Sequence, residues 1–166
     1  KEEGEAEIIV KTEENNIEKK VKIKVVNLSE EIKFTDLEVK GNLIYGLSNT
    51  TNTVQDIKNK IETAYKIEIY NKENEVLLDN QLVGTGSTLK CFDSNGDVVI
   101  EYNFILYGDV SGDGKINSVD LLVLQRHILQ LELLDGLKLK AGNIDKNGKN
   151  PTSRDLLLIQ RHILGF

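Results

Sequence analysis

Hydrophobic and polar residues alternate along the first part of the chain and change period later. Val21, Ile23 and Val25, and again Ile67 and Ile69, occupy every second position, the pattern of half-buried strands. Asn95-Gly96 stands between Leu89 and Cys91 on one side and Val98, Ile100, Tyr102, Phe104 and Leu106 on the other. That arrangement predicts a hairpin whose turn tolerates positive φ. One helix is expected among these strands, over about 53–64: Val54, Ile57 and Ile61 share a face, Thr53 is its N-cap, and Asp56 follows at capping-box spacing. From Gly108 onward the apolar positions recur at helical spacing.

Sliding the chain against itself by 35 residues uncovers an internal repeat: SVDLLVLQRHIL at 118–129 overlays SRDLLLIQRHIL at 153–164, with 9 of 12 positions identical. A unit this short cannot bury its apolar stripe alone, so the two copies are expected to pack together as a pseudo-symmetric pair. Leu121, Leu124 and Ile128, flanked by Leu122 and Leu129, form the expected core stripe of the first helix. Val119, Val123, Arg126, His127 and Gln130 fall on the opposite side, and Arg154, Leu158, Arg161 and His162 repeat the arrangement. An aliphatic residue ringed by Arg, His and Gln has the anchor-and-rim make-up of a protein interface. A solvated helix face is the blander alternative for one helix, and recurrence of the pattern on both favours the interface. His127 and His162 lack the i, i+4 partners or nearby acids of a zinc site.

Each helix is preceded by a loop rich in side-chain oxygens. From Asp109 to Asp120, oxygens stand at positions 1, 3, 5, 9 and 12 (Asp109, Ser111, Asp113, Asn117, Asp120), Gly114 is at position 6, and Lys115 at position 7 offers its carbonyl. This is the EF-hand calcium spacing, in which alternate residues aim oxygens inward and the glycine permits the sharp turn. Ser111 replaces the usual acid or amide, and Asp120 replaces the bidentate Glu. An Asp- and Gly-rich turn before a capped helix would explain the glycines but not acids at 109, 113 and 120 together. Magnesium fits less well, because it prefers a tighter octahedron. In the second copy, Asn143, Asp145, Asn147, Lys149 and Asp155 take the corresponding places, with one inserted residue and Pro151 before the helix. Fewer charges and a longer loop predict weaker calcium binding there. Asp93-Ser94-Asn95-Gly96-Asp97 is similarly acidic, but the strand Val98-Val99-Ile100 follows it, so it reads as a hairpin turn.

Composition narrows the function classes. The 21 Lys/Arg against 27 Asp/Glu leave a net charge of −6, unfavourable for binding nucleic-acid phosphates or anionic lipid. Residues 108–166 hold 8 Lys/Arg and 7 Asp/Glu, so the acidity lies in residues 1–107. No apolar run reaches the roughly 18 residues of a membrane span. Lys1-Glu2-Glu3 lacks a signal's apolar middle, so any export signal is expected to be removed or to lie upstream. The one cysteine, Cys91, forms no internal disulfide and reads as a buried strand side chain. No nucleophile with a nearby His, no acid pair outside the calcium spacing and no phosphate loop can be assembled, so an enzyme is disfavoured. A calcium sensor that opens a groove would be Met-rich, and the chain has no Met.

With both loops and both helices in view, residues 108–166 resemble the dockerin family, non-catalytic modules of secreted bacterial proteins, many of them carbohydrate-active enzymes, that bind cohesin modules. The resemblance implies an extracellular or cell-surface adaptor that folds around Ca2+, docks a cohesin-type partner and is monomeric when unbound. It places partner contacts on Ser118, Val119, Val123, Arg126 and His127 and on Ser153, Arg154, Leu158, Arg161 and His162. Residues 34–107 are similar to a small α+β module often found before dockerins, judging by Leu43-Ile44-Tyr45-Gly46-Leu47, Thr53-Val54 and Val83-Gly84-Thr85-Gly86, with structural support as its implied role. The expected architecture is an α+β module of mostly antiparallel strands with one helix (34–107), then a small all-α module of paired EF-hand-type loop-helix motifs (108–166). Residues 1–33 are a strand-rich segment, read either as an edge piece or as the tail of a preceding domain. The duplicated faces raise docking in two orientations, with Val119 against Arg154 breaking their equivalence.

Overall fold

The computed structural model describes residues 4–11, 18–25, 32–48 and 50–166, the first two stretches by their backbone. Lys1-Glu2-Glu3 lies outside the described residues. The chain divides into two compact units, Lys1–Lys33 and Phe34–Phe166. In the first, strands β1 (Gly4–Lys11) and β2 (Glu18–Val25) pair antiparallel, with Gly4 opposite Val25 and Lys11 opposite Glu18. The alternation through Val21, Ile23 and Val25 is therefore a strand. A short strand β3 (Ile32–Phe34) follows.

The second unit is built on strands β4 (Glu38–Lys40), β5 (Leu43–Tyr45), β6 (Ile61–Thr63), β7 (Lys66–Tyr70), β8 (Thr88–Phe92) and β9 (Val98–Phe104). Five of these form a sheet in the order β4-β5-β9-β8-β7. Its pairs are antiparallel except β5 with β9, which run parallel, with Leu43 opposite Asn103 and Ile44 opposite Phe104. β8 and β9 make the hairpin expected around Asn95-Gly96, where Gly96 takes φ +86°, a conformation L side chains disfavour. The Asp93 carboxylate closes the turn by accepting the N–H groups of Asp97 (3.0 Å) and Asn95 (2.9 Å), and these bonds hold its pKa below the usual carboxylate value. The acidic turn is thus a hairpin device.

Helix α1 (Val54–Lys58) begins as expected: Thr53 Oγ1 accepts the Asp56 N–H, and the Asp56 carboxylate accepts the Thr53 N–H. It is shorter than the apolar spacing predicts, ending at the C-cap Asn59, and Ile61 opens strand β6 instead of continuing the helical face. Asn at the cap and the β-branched Ile61 and Thr63 beyond it are weak helix formers that fit an extended backbone better.

Both copies of the repeat are helices, α2 (Ser118–Ile128) and α4 (Ser153–Ile163), and they pack against each other. Between them lies a helix that the periodicity did not show, α3 (Gly136–Gly142), so the all-α description gains a third helix among the described residues. The helices do not form a core of their own. Leu43 of β5 and Ile105 share a buried cluster with Val110, Leu124 of α2, Ala141 of α3 and Ile159 of α4.

The expected core stripe of α2 is corrected at its flanks: Leu122 and Leu129 are 55% and 59% exposed. At about 100° per residue they stand roughly 160° and 140° from Leu124, the helix's centre of burial. Leu121, Val123 and Ile128 are half-buried and pack against the cluster, which moves Val123 off the exposed face.

Two measurements follow from this packing. Leu124 is fully buried, so Leu124→Ala is expected to lower unfolding free energy by about 2–5 kcal/mol in denaturant melts. Cys91 is also fully buried, and burial pushes its thiol up to about 11. Iodoacetamide at pH 8 should leave the native chain unmodified and label it after denaturation.

Candidate metal centre and helix faces

The first loop begins in the shared core, where Asp109 is fully buried and its N–H bonds the Leu106 carbonyl. Its carboxylate winds the loop by accepting N–H groups from Gly112 (2.7 Å), Asp113 (3.1 Å) and Gly114 (3.1 Å). Gly114 sits at φ +79°, the left-handed turn required of the sixth position. Asp120 closes the loop from α2, accepting the N–H groups of Ser111 and Asn117, both at 2.9 Å. Asn117 is the helix N-cap and its side chain accepts the Val119 N–H, so one local design both starts α2 and returns an acid to the loop.

Carboxylate oxygens of Asp109, Asp113 and Asp120 consequently lie within 4.8 Å of one another. Ser111 Oγ is 3.4 Å from the Asp109 carboxylate, and Asn117 Nδ2 bonds the Asp113 carboxylate at 3.3 Å. Lys115 is exposed and its N–H bonds Asp113 (2.9 Å). Burial pushes Asp109 up to about 6; bonds from the amides of Thr85, Gly112 and Gly114 oppose the rise, and the charge of Asp120 adds to it. Two buried acids, Asp109 and Asp120, and the exposed Asp113 gather hard oxygens around a glycine turn, a donor set suited to a calcium-sized cation.

The second loop repeats this wiring. Asp155 accepts the N–H groups of Asp145 (3.0 Å) and Thr152 (2.8 Å), as Asp120 accepts those of Ser111 and Asn117. Thr152 caps α4, and the inserted residue is taken up ahead of it, beside the buried Pro151. Asn143 replaces Asp109, and its Oδ1 is buried with no hydrogen-bond partner among the described residues, an acceptor that a cation would satisfy. Its Nδ2 bonds the Gly148 carbonyl (3.1 Å), while Asn147 and Lys149 stand exposed at the rim. Asp145 is paired with Arg154 at 3.3 Å, so this loop brings two carboxylates and a neighbouring guanidinium.

On the helix faces Ser118, Val119, Arg126, Gln130, Ser153, Arg154, Arg161 and His162 are exposed. Val123 and Leu158 are half-buried. His127 turns inward, its Nδ1 accepting the Leu134 N–H at 3.0 Å, and Arg126 pairs with Glu132 at 3.4 Å. The sequence reading missed two exposed apolar pairs at equivalent places in the repeat: Leu122 with Leu157 (55% and 44% exposed) and Leu129 with Leu164 (59% and 62%). A stricter angular count around Leu124 would have found them.

A proton would compete with a cation for Asp109. Below about pH 6 the metal-free carboxyl is protonated and a cation must displace that proton; above it the carboxylate is already ionised. Calcium affinity of the first loop should therefore fall as pH drops from 7 to 5, a trend that calorimetric titration at several pH values checks.

No curated protein and no solved structure matches the chain. Residues 107–164, about a third of its length, match the family model described as the Dockerin type I domain, and this stretch of loop-helix repeats thereby stands as a dockerin module, of a non-catalytic class that docks cohesins in a calcium-dependent way.

Proposed function

We propose that the chain is an adaptor in which calcium orders the helical part so that α2 and α4 can dock a cohesin-type partner, attaching a secreted or cell-surface protein to a larger complex. The observation carrying this reading is the convergence of Asp109, Asp113 and Asp120 to within 4.8 Å at the foot of α2. One Ca2+ is held by Asp109, Ser111, Asp113, Asn117 and Asp120 with the Lys115 carbonyl. A second, weaker site uses Asn143, Asp145, Asn147, Asp155 and the Lys149 carbonyl, its orphan Asn143 oxygen favouring a cation and its fewer charges limiting affinity. Residues 108–166 carry the docking function and residues 34–107 support them.

The mechanism is linkage between binding and folding. The ion replaces repulsion among loop carboxylates with coordination, and a ligand at about 100 times its Kd stabilises the folded form by about 2.7 kcal/mol. Docking is then read from Val119, Arg126 and Arg161 with their exposed neighbours, the half-buried Leu158 acting as an anchor.

Titration with EDTA while following helix content by circular dichroism and binding to a panel of purified cohesin modules tests this. Helicity and binding are expected to fall together and to return with excess calcium. Unchanged helicity and full cohesin binding in chelator would reject the reading.

A further inference from the structure

The calcium loop is not built by the dockerin repeat alone. Three residues from the strand-rich part press on it from outside. The Thr85 N–H donates to Asp109 Oδ2 at 2.8 Å, joining the loop's own amides on that carboxylate. Asn52 Nδ2 donates to the Gly114 carbonyl at 2.7 Å and to the Val83 carbonyl at 3.0 Å, bridging the turn glycine to the segment before Gly84. Gly84 lies flat against the loop: a Cβ there would collide with the Gly114 nitrogen and stand 2.6 Å from Asp109 Oδ2. Asn52 and Thr85 are 1% and 2% exposed, so these contacts are shielded from competing water. At the loop's outer edge Lys72 Nζ bonds the Ser111 carbonyl at 3.2 Å.

We infer that Asn52, Gly84 and Thr85 form a collar that positions the first calcium loop, so that residues outside the repeat set its affinity while leaving the second loop unaffected. The collar works by preorganisation. An amide aimed at Asp109 Oδ2 fixes the carboxylate's rotation and stabilises its charged form, and the Asn52 bond fixes the peptide leaving Gly114. Without them the loop must be ordered by the ion itself, which lowers affinity. None of the three supplies a metal ligand; they are positioning residues. Coupling is also reciprocal: calcium in the loop must stabilise the collar by the same free energy that the collar lends to calcium. The inference rests on the calcium reading above.

The test uses the full chain and calcium alone, followed by 1H–15N NMR, with the amides of Gly114 and Gly148 reporting the two loops separately. Gly84→Ala introduces the colliding methyl at a backbone position with no positive φ, and Asn52→Ala removes the bridge. Each is expected to weaken calcium binding read at Gly114 by at least about tenfold, the usual cost of removing a contact behind a metal ligand, with little change at Gly148. In the unmodified chain, calcium should slow hydrogen exchange of the Thr85 amide by a similar factor, a measurement that stands if either variant fails to fold. Equal affinity at Gly114 in a folded variant, or Thr85 exchange that ignores calcium while Gly114 responds, would overturn the collar. A Gly114 amide that ignores calcium in the unmodified chain would overturn the calcium reading itself.

Discussion

The C-terminal half of the second unit is organised by buried carboxylates, Asp109, Asp120 and Asp155, and Asp109 is the one from which the first loop winds. Asp109 is excluded from water at the point where the sheet passes into the helices, and burying a carboxylate is costly unless hydrogen bonds or a cation compensate it. The protein answers with amides from three places: the loop's own turn, the strand-rich segment through Thr85, and, for the neighbouring Asp120, the N-cap of α2. Amides supply partial positive charge against the burial and the neighbouring Asp120 charge that push the Asp109 carboxyl up.

The same geometry explains why the helical part stays close to the sheet. Val110 and Ile105 follow one another through the junction into the common cluster, and the Gly108 N–H bonds the Ala141 carbonyl at 2.9 Å. Tyr107 stacks on Tyr45 with centroids 5.6 Å apart, and Lys146 of the second loop lies 4.7 Å over the Tyr107 ring. Helices of 11 residues are marginal alone, so most of their stability must come from these tertiary contacts.

Much of the candidate site was legible because its determinants are local. The Gly114 turn and acids at alternating positions are written within a dozen residues, and a repeat at fixed spacing announces its own symmetry. The hairpin at Asn95-Gly96 was legible for the same reason. What escaped is non-local. The parallel pairing of β5 with β9, the short helix α3 and the inward turn of His127 onto the Leu134 amide depend on contacts between distant segments. Asn52 carries no motif and Thr85 stands in a stretch that points to no loop contact, and only folding brings them to Gly114 and Asp109. The end of α1 was misjudged because Ile61 continues a helical face as readily as it opens a strand.

Arg154 gives the two halves of the repeat different starting points. Its guanidinium is engaged with Asp145, whereas Val119, its counterpart on α2, presents a methyl surface with no side-chain charge to pair with its loop. Anything that draws Arg154 outward strips Asp145 of its counter-charge, and anything that neutralises Asp145 sets Arg154 loose. Going from one copy of the repeat to the other therefore exchanges a passive greasy contact for one wired to the loop beneath it, so the two near-identical sequences stand in different electrostatic environments.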